Sequence, residues 1–181
     1  MSAADEIPLF APALLHPPST PLPPNYTLRP LCASDYHRGF LDVLRTLTKV
    51  GDIPYESFLS QFETMKTSGD YYIICILNES DKVVAVGSLI IEKKFIRNCS
   101  KVGHIEDISV LESEQGKGLG KKVIEALDGI AQGVGCYKSI LDCAEEKKGF
   151  YEKCGFKLAG LQMVSFKIPG RWRRGRRLTG G

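Results

Sequence analysis

The chain has 181 residues, 43% of them hydrophobic and 25% charged, with a formal net charge of +3. That length and balance suit one globular domain with a sizeable core; no apolar run approaches the ~20 residues needed to span a bilayer, and Asp5 and Glu6 stand where a secretory signal would carry Lys or Arg. The positive charge is local, because without Arg171, Arg173, Arg174, Arg176 and Arg177 the sum falls from +3 to −2, so the rest of the chain is mildly acidic and gives no reason to expect a nucleic-acid surface.

Eight of the ten prolines lie within residues 1–30. Proline lacks a backbone donor, so residues 1–25 are expected to form an extended or disordered arm. Residues 26–30 read as a first strand. Ser34 is placed to cap a helix from Asp35 to about Leu47, with Phe40, Val43, Leu44 and Leu47 on one face. Gly51 stops it, and Pro54 starts a second helix carrying Phe58, Phe62 and Met65. Residues 71–77 and 83–91 form a hairpin around Asn78-Glu79-Ser80-Asp81, and residues 102–110 continue the sheet. The spacing of Leu119, Val123, Leu127 and Ile130 predicts a helix over about 118–132 with a core-facing stripe. A short strand at 139–143, a short helix at 148–153 and a last strand at 157–166 complete an α+β pattern without internal repeats. The final residues, 168–181, form a basic tail that is either solvated and disordered or able to hold a polyanion. Cys32, Cys75, Cys99, Cys136, Cys143 and Cys154 make no C-x-x-C pair and no metal spacing with His16, His37 or His104, so reduced thiols in a cytoplasmic protein are expected.

The most informative run is Gly103-His104-Ile105-Glu106-Asp107-Ile108-Ser109-Val110, followed after five residues by Gly116-Lys117-Gly118-Leu119-Gly120-Lys121. A strand with two carboxylates leads into a glycine turn and a helix N-terminus, where free N–H groups and the helix dipole favour an anion. A tight turn before a helix would read the same at Gly116 and Gly118. A P-loop is excluded because Gln115 and Lys122 occupy its first and last signature positions. A dinucleotide site is excluded because no βαβ unit with an acidic residue about 20 on follows.

With Gly135-Cys136-Tyr137-Lys138, Leu141-Asp142-Cys143 and Phe150-Tyr151-Glu152-Lys153-Cys154-Gly155-Phe156 in this order, the chain from about Tyr26 to Met163 resembles the GNAT superfamily of acetyl-CoA-dependent N-acetyltransferases. Within it the likeness is to the fungal branch whose acceptor is glucosamine 6-phosphate. The resemblance implies a GNAT-type acyl-CoA N-acyltransferase fold over residues 26–167, with a central mixed, mostly antiparallel sheet flanked by helices. It implies acetyl-CoA as co-substrate, with its pyrophosphate on Gly116, Lys117, Gly118, Leu119, Gly120 and Lys121, and its pantetheine arm along Ile108, Ser109 and Val110. Tyr151 and Lys153 complete that site.

Direct transfer in a ternary complex is implied, without a metal and without an acyl-enzyme, so Cys143 and Cys154 are read as core thiols. Glu106 is expected to take the ammonium proton, Asp142 to hold the amine, and Tyr151 to protonate the leaving sulfur. Asp107 orients the sugar, and Thr48, Lys94, Arg97, Tyr137 and Lys138 supply further substrate contacts, with Arg97 foremost for the phosphate. A cytoplasmic homodimer with its site at the interface, without nucleic-acid or membrane partners, is implied, in a step towards UDP-N-acetylglucosamine. The sequence departs from the family at Lys147, where Asn is usual, and at Phe166, where some relatives carry a phosphate-binding Arg. A GNAT enzyme for another amine, such as a polyamine or aromatic amine, and a non-catalytic acetyl-CoA-binding protein are the competing readings.

Overall fold

Five strands form the sheet in chain order, β1 (Thr27–Pro30), β2 (Tyr71–Leu77), β3 (Val83–Lys93), β4 (Lys101–Val110) and β5 (Cys136–Ile140). They are seen in a computed structural model of the chain, which describes residues 6–165. Neighbours are antiparallel from β1 to β4, and β5 runs parallel to β4. This is the mixed, mostly antiparallel sheet that the resemblance implied.

Both faces of the sheet are covered, which explains why Ile73 to Leu77 of β2 are buried without alternation. Ile73, Cys75 and Leu77 pack with Phe40, Leu41 and Val43 of α1 (Phe40–Arg45) and with Phe58 and Phe62 of α2 (Tyr55–Ser68). Ile74 and Ile76 turn the other way, onto Leu119, Val123, Leu127 and Ile130 of α4 (Leu119–Gly133). A single turn, α3 (Ile96–Cys99), joins β3 to β4, and α5 (Lys148–Lys153) follows β5.

Four expectations are corrected. The predicted helix from Asp35 is split into a 3₁₀ turn at Ala33–Tyr36 and α1, because Gly39 sits between them at φ 91°, outside the helical region. Ser34 caps nothing there; Asp35 accepts the Cys32 N–H at 2.8 Å instead. The short strand lies three residues earlier than predicted, at β5. Among the described residues, 156–165 form no strand, and Phe166 and the basic tail lie outside them.

The fourth concerns the proline-rich arm, which from residue 6 onward lies against the domain. Leu9 is buried, and its N–H donates to the Leu31 carbonyl at 2.8 Å. Phe10 meets the Tyr72 ring at 5.1 Å. Lys122, on the buried side of α4, donates to the Thr20 carbonyl at 3.0 Å, which satisfies an ammonium that the apolar stripe could not. Proline removes donors, but the apolar residues between the prolines still find the core.

Candidate active site

β4 positions the site through two irregularities. Ser109 pairs with Val86 and Glu106 with Ser88, so Gly87 alone stands opposite Asp107 and Ile108. This is a β-bulge, with Asp107 in the left-handed region at φ 54°. Gly87 is required there, since a Cβ would lie 2.7 Å from the Ile108 Cδ1 and 2.4 Å from the Val123 Cγ1. The second irregularity is a splay. β4 and β5 pair only from Lys101↔Cys136 to His104↔Ile140. From Ile105 to Val110, no described strand pairs with the edge of β4 that faces β5. Such an edge is a ready acceptor for an extended polar chain.

The glycine turn stands at the end of that edge. Gly116 and Gly118 adopt φ 81° and 76°, and a Cβ at either would meet nothing within 4 Å, so both border open space. Gly118 immediately precedes α4, whose first-turn N–H groups have no helical acceptor. Ser109 ties β4 to the opposite helix by donating to the Val43 carbonyl at 2.8 Å and sharing a 2.7 Å hydrogen bond with Thr46.

Around the bulge the titratable groups perturb one another. Burial, reinforced by the charges of Asp107 and Asp142, raises the Glu106 carboxyl above its ordinary range. Burial also raises Asp107, although much of that residue is exposed at the mouth of its cavity. Tyr151 is raised by burial and by Cys143, Cys154 and Glu106, so its phenol stays a proton donor at neutral pH. A polar acid–base pair beside an open strand edge and a helix N-terminus can accept a proton from one group and supply one to another.

A cavity of about 260 Å³ opens between α1, α2 and the sheet, with Asp107 and Ser88 on a wall otherwise formed largely by apolar residues such as Phe40, Phe58, Phe62 and Ile90. Because Glu106 pairs with Ser88, the bulge brings both carboxylates to the side covered by α1 and α2. Simple strand alternation would have sent them to opposite faces.

Residues 39–156 match the acetyltransferase (GNAT) family. The chain belongs to that family. It is 46% identical over 144 residues to the glucosamine 6-phosphate N-acetyltransferase of Arabidopsis thaliana, covering 78% of this chain and 97% of the relative. It is 49% identical over 144 residues to the Candida albicans protein of the same name, covering 79% and 97%. The crystal structure of the Arabidopsis enzyme superimposes with a TM-score of 0.76 at 45% identity, over 78% of this chain and 97% of that one.

On this GNAT framework the residues singled out from the sequence fall into two groups. Glu106, Asp107, Asp142 and Tyr151 converge, and Asp142 also accepts the Gln162 amide at 2.6 Å. Ile108, Ser109 and Val110 line the open edge, with Gly116 to Lys121 beyond it. The Lys117 side chain turns aside to Glu114 at 2.7 Å and the Tyr26 hydroxyl at 2.8 Å, and Lys121 lies 3.7 Å from Glu125. For Lys117 this leaves the backbone as the part that faces an anion. Lys153 and Lys147 are exposed, and so is Cys143, which therefore is not the core thiol expected.

The second group lies elsewhere. The Arg97 guanidinium stacks 4.8 Å from the Tyr137 ring, and the Lys138 ammonium lies 5.7 Å from it. Lys138 pairs with Val102, and Tyr137 sits at the register shift between Lys101 and Val102, so within one chain this patch is about 13–17 Å along β4 from Glu106. That exceeds the span of a hexose phosphate. Lys94 is ion-paired with Glu92, and Thr48 is exposed after α1. Sequence reading missed Gly87, the Ser109–Val43 tie, and the 2.9 Å contact between His104 Nε2 and Glu92. For His104 a signal existed, since it precedes Glu106 by two residues and so shares its strand face. Among the described residues no group of three or more His, Cys, Asp or Glu is arranged for a metal ion.

Proposed function

We propose that the chain transfers the acetyl group of acetyl-CoA to the amine of glucosamine 6-phosphate, giving N-acetylglucosamine 6-phosphate and CoA, as a step towards UDP-N-acetylglucosamine. The observation that carries this reading is the edge of β4 that no described strand pairs with, running from a two-carboxylate bulge to the N-terminus of α4. The relatives' shared name supplies the acceptor. The Ile108–Val110 backbone would receive the pantetheine amides and the turn from Gly116 to Lys121 the pyrophosphate, where the open space at Gly118 fits a phosphate against bare backbone.

The acceptor arrives as an ammonium. Glu106 removes a proton, Asp142 holds the nitrogen, and the freed amine attacks the thioester carbonyl. Tyr151 hydrogen-bonds the departing sulfur and supplies its proton. Asp107 orients the sugar hydroxyls. Cys154, whose thiol is pushed up by burial, is a poor nucleophile at neutral pH, which supports direct transfer. A coupled thiol-release assay comparing glucosamine 6-phosphate with glucosamine tests the acceptor: a kcat/KM at least tenfold higher for the phosphorylated sugar is expected, and equal values would sink the assignment. The apolar cavity beside Asp107 favours a second reading, an apolar amine, so an aromatic amine belongs in the same assay.

We further propose a cytoplasmic homodimer whose site is completed across the interface. The distance between Arg97 and Glu106 within one chain supports this, because a partner's Arg97 could stand where its own cannot. Co-expressing Arg97→Ala chains with Glu106→Gln chains tests it. Each homodimer should be nearly inactive, and random mixing should restore roughly a quarter of the original activity, since half of the dimers regain one of two sites. Recovery no greater than the sum of the separate variants would refute the shared site.

A further inference from the structure

Resting on the proposed transfer, a proton count exposes a step that the residues so far do not perform. In R–NH₃⁺ + CH₃CO–S–CoA → R–NH–CO–CH₃ + HS–CoA + H⁺, one of the three ammonium protons stays on the amide. One reaches the sulfur and one must leave the site. Glu106 accepts that last proton, and it must be emptied before each new turnover, yet it is partly buried beside two other carboxylates.

We propose that this proton leaves through His104, oriented by Glu92. The β3–β4 register sets Glu106 opposite Ser88, His104 opposite Ile90 and Val102 opposite Glu92. Glu106, His104 and Glu92 therefore project from one face of the sheet as a row. Alternate residues on a strand have Cα atoms about 6.7 Å apart, and one water bridges about 5.5 Å with two hydrogen bonds, so side chains that lean slightly toward each other are joined by a single water. At the far end of the row His104 Nε2 lies 2.9 Å from Glu92 Oε2, and Lys94 pairs with the other oxygen of Glu92.

The tautomer follows from these contacts. Hydrogen bonds from Lys94 and His104 hold the Glu92 carboxyl below its ordinary range, so it is ionised and can only accept. The ring must then carry a proton on Nε2, which leaves Nδ1 as the nitrogen that can accept one. The O–H bond of protonated Glu106 breaks, a water passes the proton on, and an N–H bond forms at Nδ1. The imidazolium keeps its Nε2–H on Glu92. It then gives the proton to bulk water, because both side chains are partly exposed, at 32% for His104 and 43% for Glu92. The cycle returns both groups to their starting states.

The surrounding charges leave this path clear. Lys93 turns to Asp70 and Lys101 to the Val134 carbonyl, and Asp42 and Arg45 of α1 pair with each other. Lys138 shares the face from β5 through its register with Val102, and Asp107 and Asp142 lie beyond Glu106. His104 acts through Glu106 and touches no reacting atom.

His104→Gln tests the relay, because the amide can still donate to Glu92 but cannot hold a proton. The expected result is a kcat lowered about tenfold or more, an unchanged KM for acetyl-CoA, and recovery that grows with added imidazole base. Glu92→Gln should lower kcat by a smaller factor. A His104→Gln kcat within about twofold of the unaltered chain, or a loss that imidazole does not restore, overturns the relay. If the unaltered chain ignores glucosamine 6-phosphate but acetylates another amine, the acceptor reading fails while the relay is tested on that amine, since the proton count is the same. Absence of turnover with every amine overturns both.

Discussion

Replacing Glu106 by Gln is expected to lower kcat for acetyl transfer by ~10²–10⁴-fold, the usual contribution of a positioned general base, with little change in acetyl-CoA binding. Glutamine fills the same space and keeps a carbonyl toward the amine, so the loss reports the missing base and not a collapsed strand. Glu106 stands where burial and the charges of Asp107 and Asp142 all disfavour its anion. Its protonated form therefore persists to higher pH than that of an ordinary glutamate. The active form is the carboxylate, so kcat/KM should rise with pH through an apparent pKa above the ordinary glutamate value. Because three carboxylates interact, that pKa belongs to the cluster as much as to Glu106. In the Glu106→Gln chain the residual rate should lose this limb. Asp142→Asn would instead shift the limb downward by removing one of the repelling charges, and would raise the sugar KM. Parallel profiles of kcat/KM against pH for the three chains separate these outcomes, and an unaltered limb in Glu106→Gln would remove Glu106 from its role.

How much of this was legible in the sequence depended on the range of the interactions involved. The α4 stripe and the glycine turn are local, with period and turn chemistry written in consecutive residues, and both stand where their spacing predicts. The hairpin of β2 and β3 is equally local, since Asn78 closes it by accepting the Ser80 and Lys82 N–H groups at 3.1 Å each. Features that need a second segment were illegible. The bulge at Asp107 exists because Gly87, twenty residues earlier in the chain, lets Ile108 enter the space that a side chain would fill. Strand alternation alone would therefore place the two carboxylates on opposite faces. β5 was placed too late because Leu141-Asp142-Cys143 continues an apolar-looking run, whereas the parallel pairing with β4 ends at Ile140. That early ending opens the slot between the strands. The arm shows the same limit, because counting prolines captured its missing donors and ignored the long-range contacts of Leu9 and Thr20.

Removing the Asp35 carboxylate is expected to be the most destabilising single change in the described chain. Asp35 has no exposed side-chain surface. Both of its oxygens receive the Arg29 guanidinium, at 2.6 and 2.7 Å, and one also accepts the Cys32 N–H at 2.8 Å. Arg38 lies 3.6 Å away and reaches on to Asp81 in the hairpin loop and Glu6 in the arm, so this one carboxylate anchors β1, the arm and the β2–β3 loop together. In Asp35→Ala a mostly buried guanidinium loses its counter-charge and a buried N–H its acceptor, a change that costs about 3–5 kcal/mol in comparable pairs. Against a total stability of about 5–15 kcal/mol, that should lower Tm by roughly 10 °C for a domain of this size. The cost arises from stranding Arg29, not from losing attraction as such, so Arg29→Met combined with Asp35→Leu should recover much of it. Thermal unfolding of the single and double variants, with kcat measured per folded molecule, separates this from chemistry. The Asp35→Ala chain should keep its kcat well below its lowered Tm, because nothing in the pair touches the bulge. A double variant no more stable than Asp35→Ala alone would show that the helical turn, and not the stranded charge, depends on Asp35.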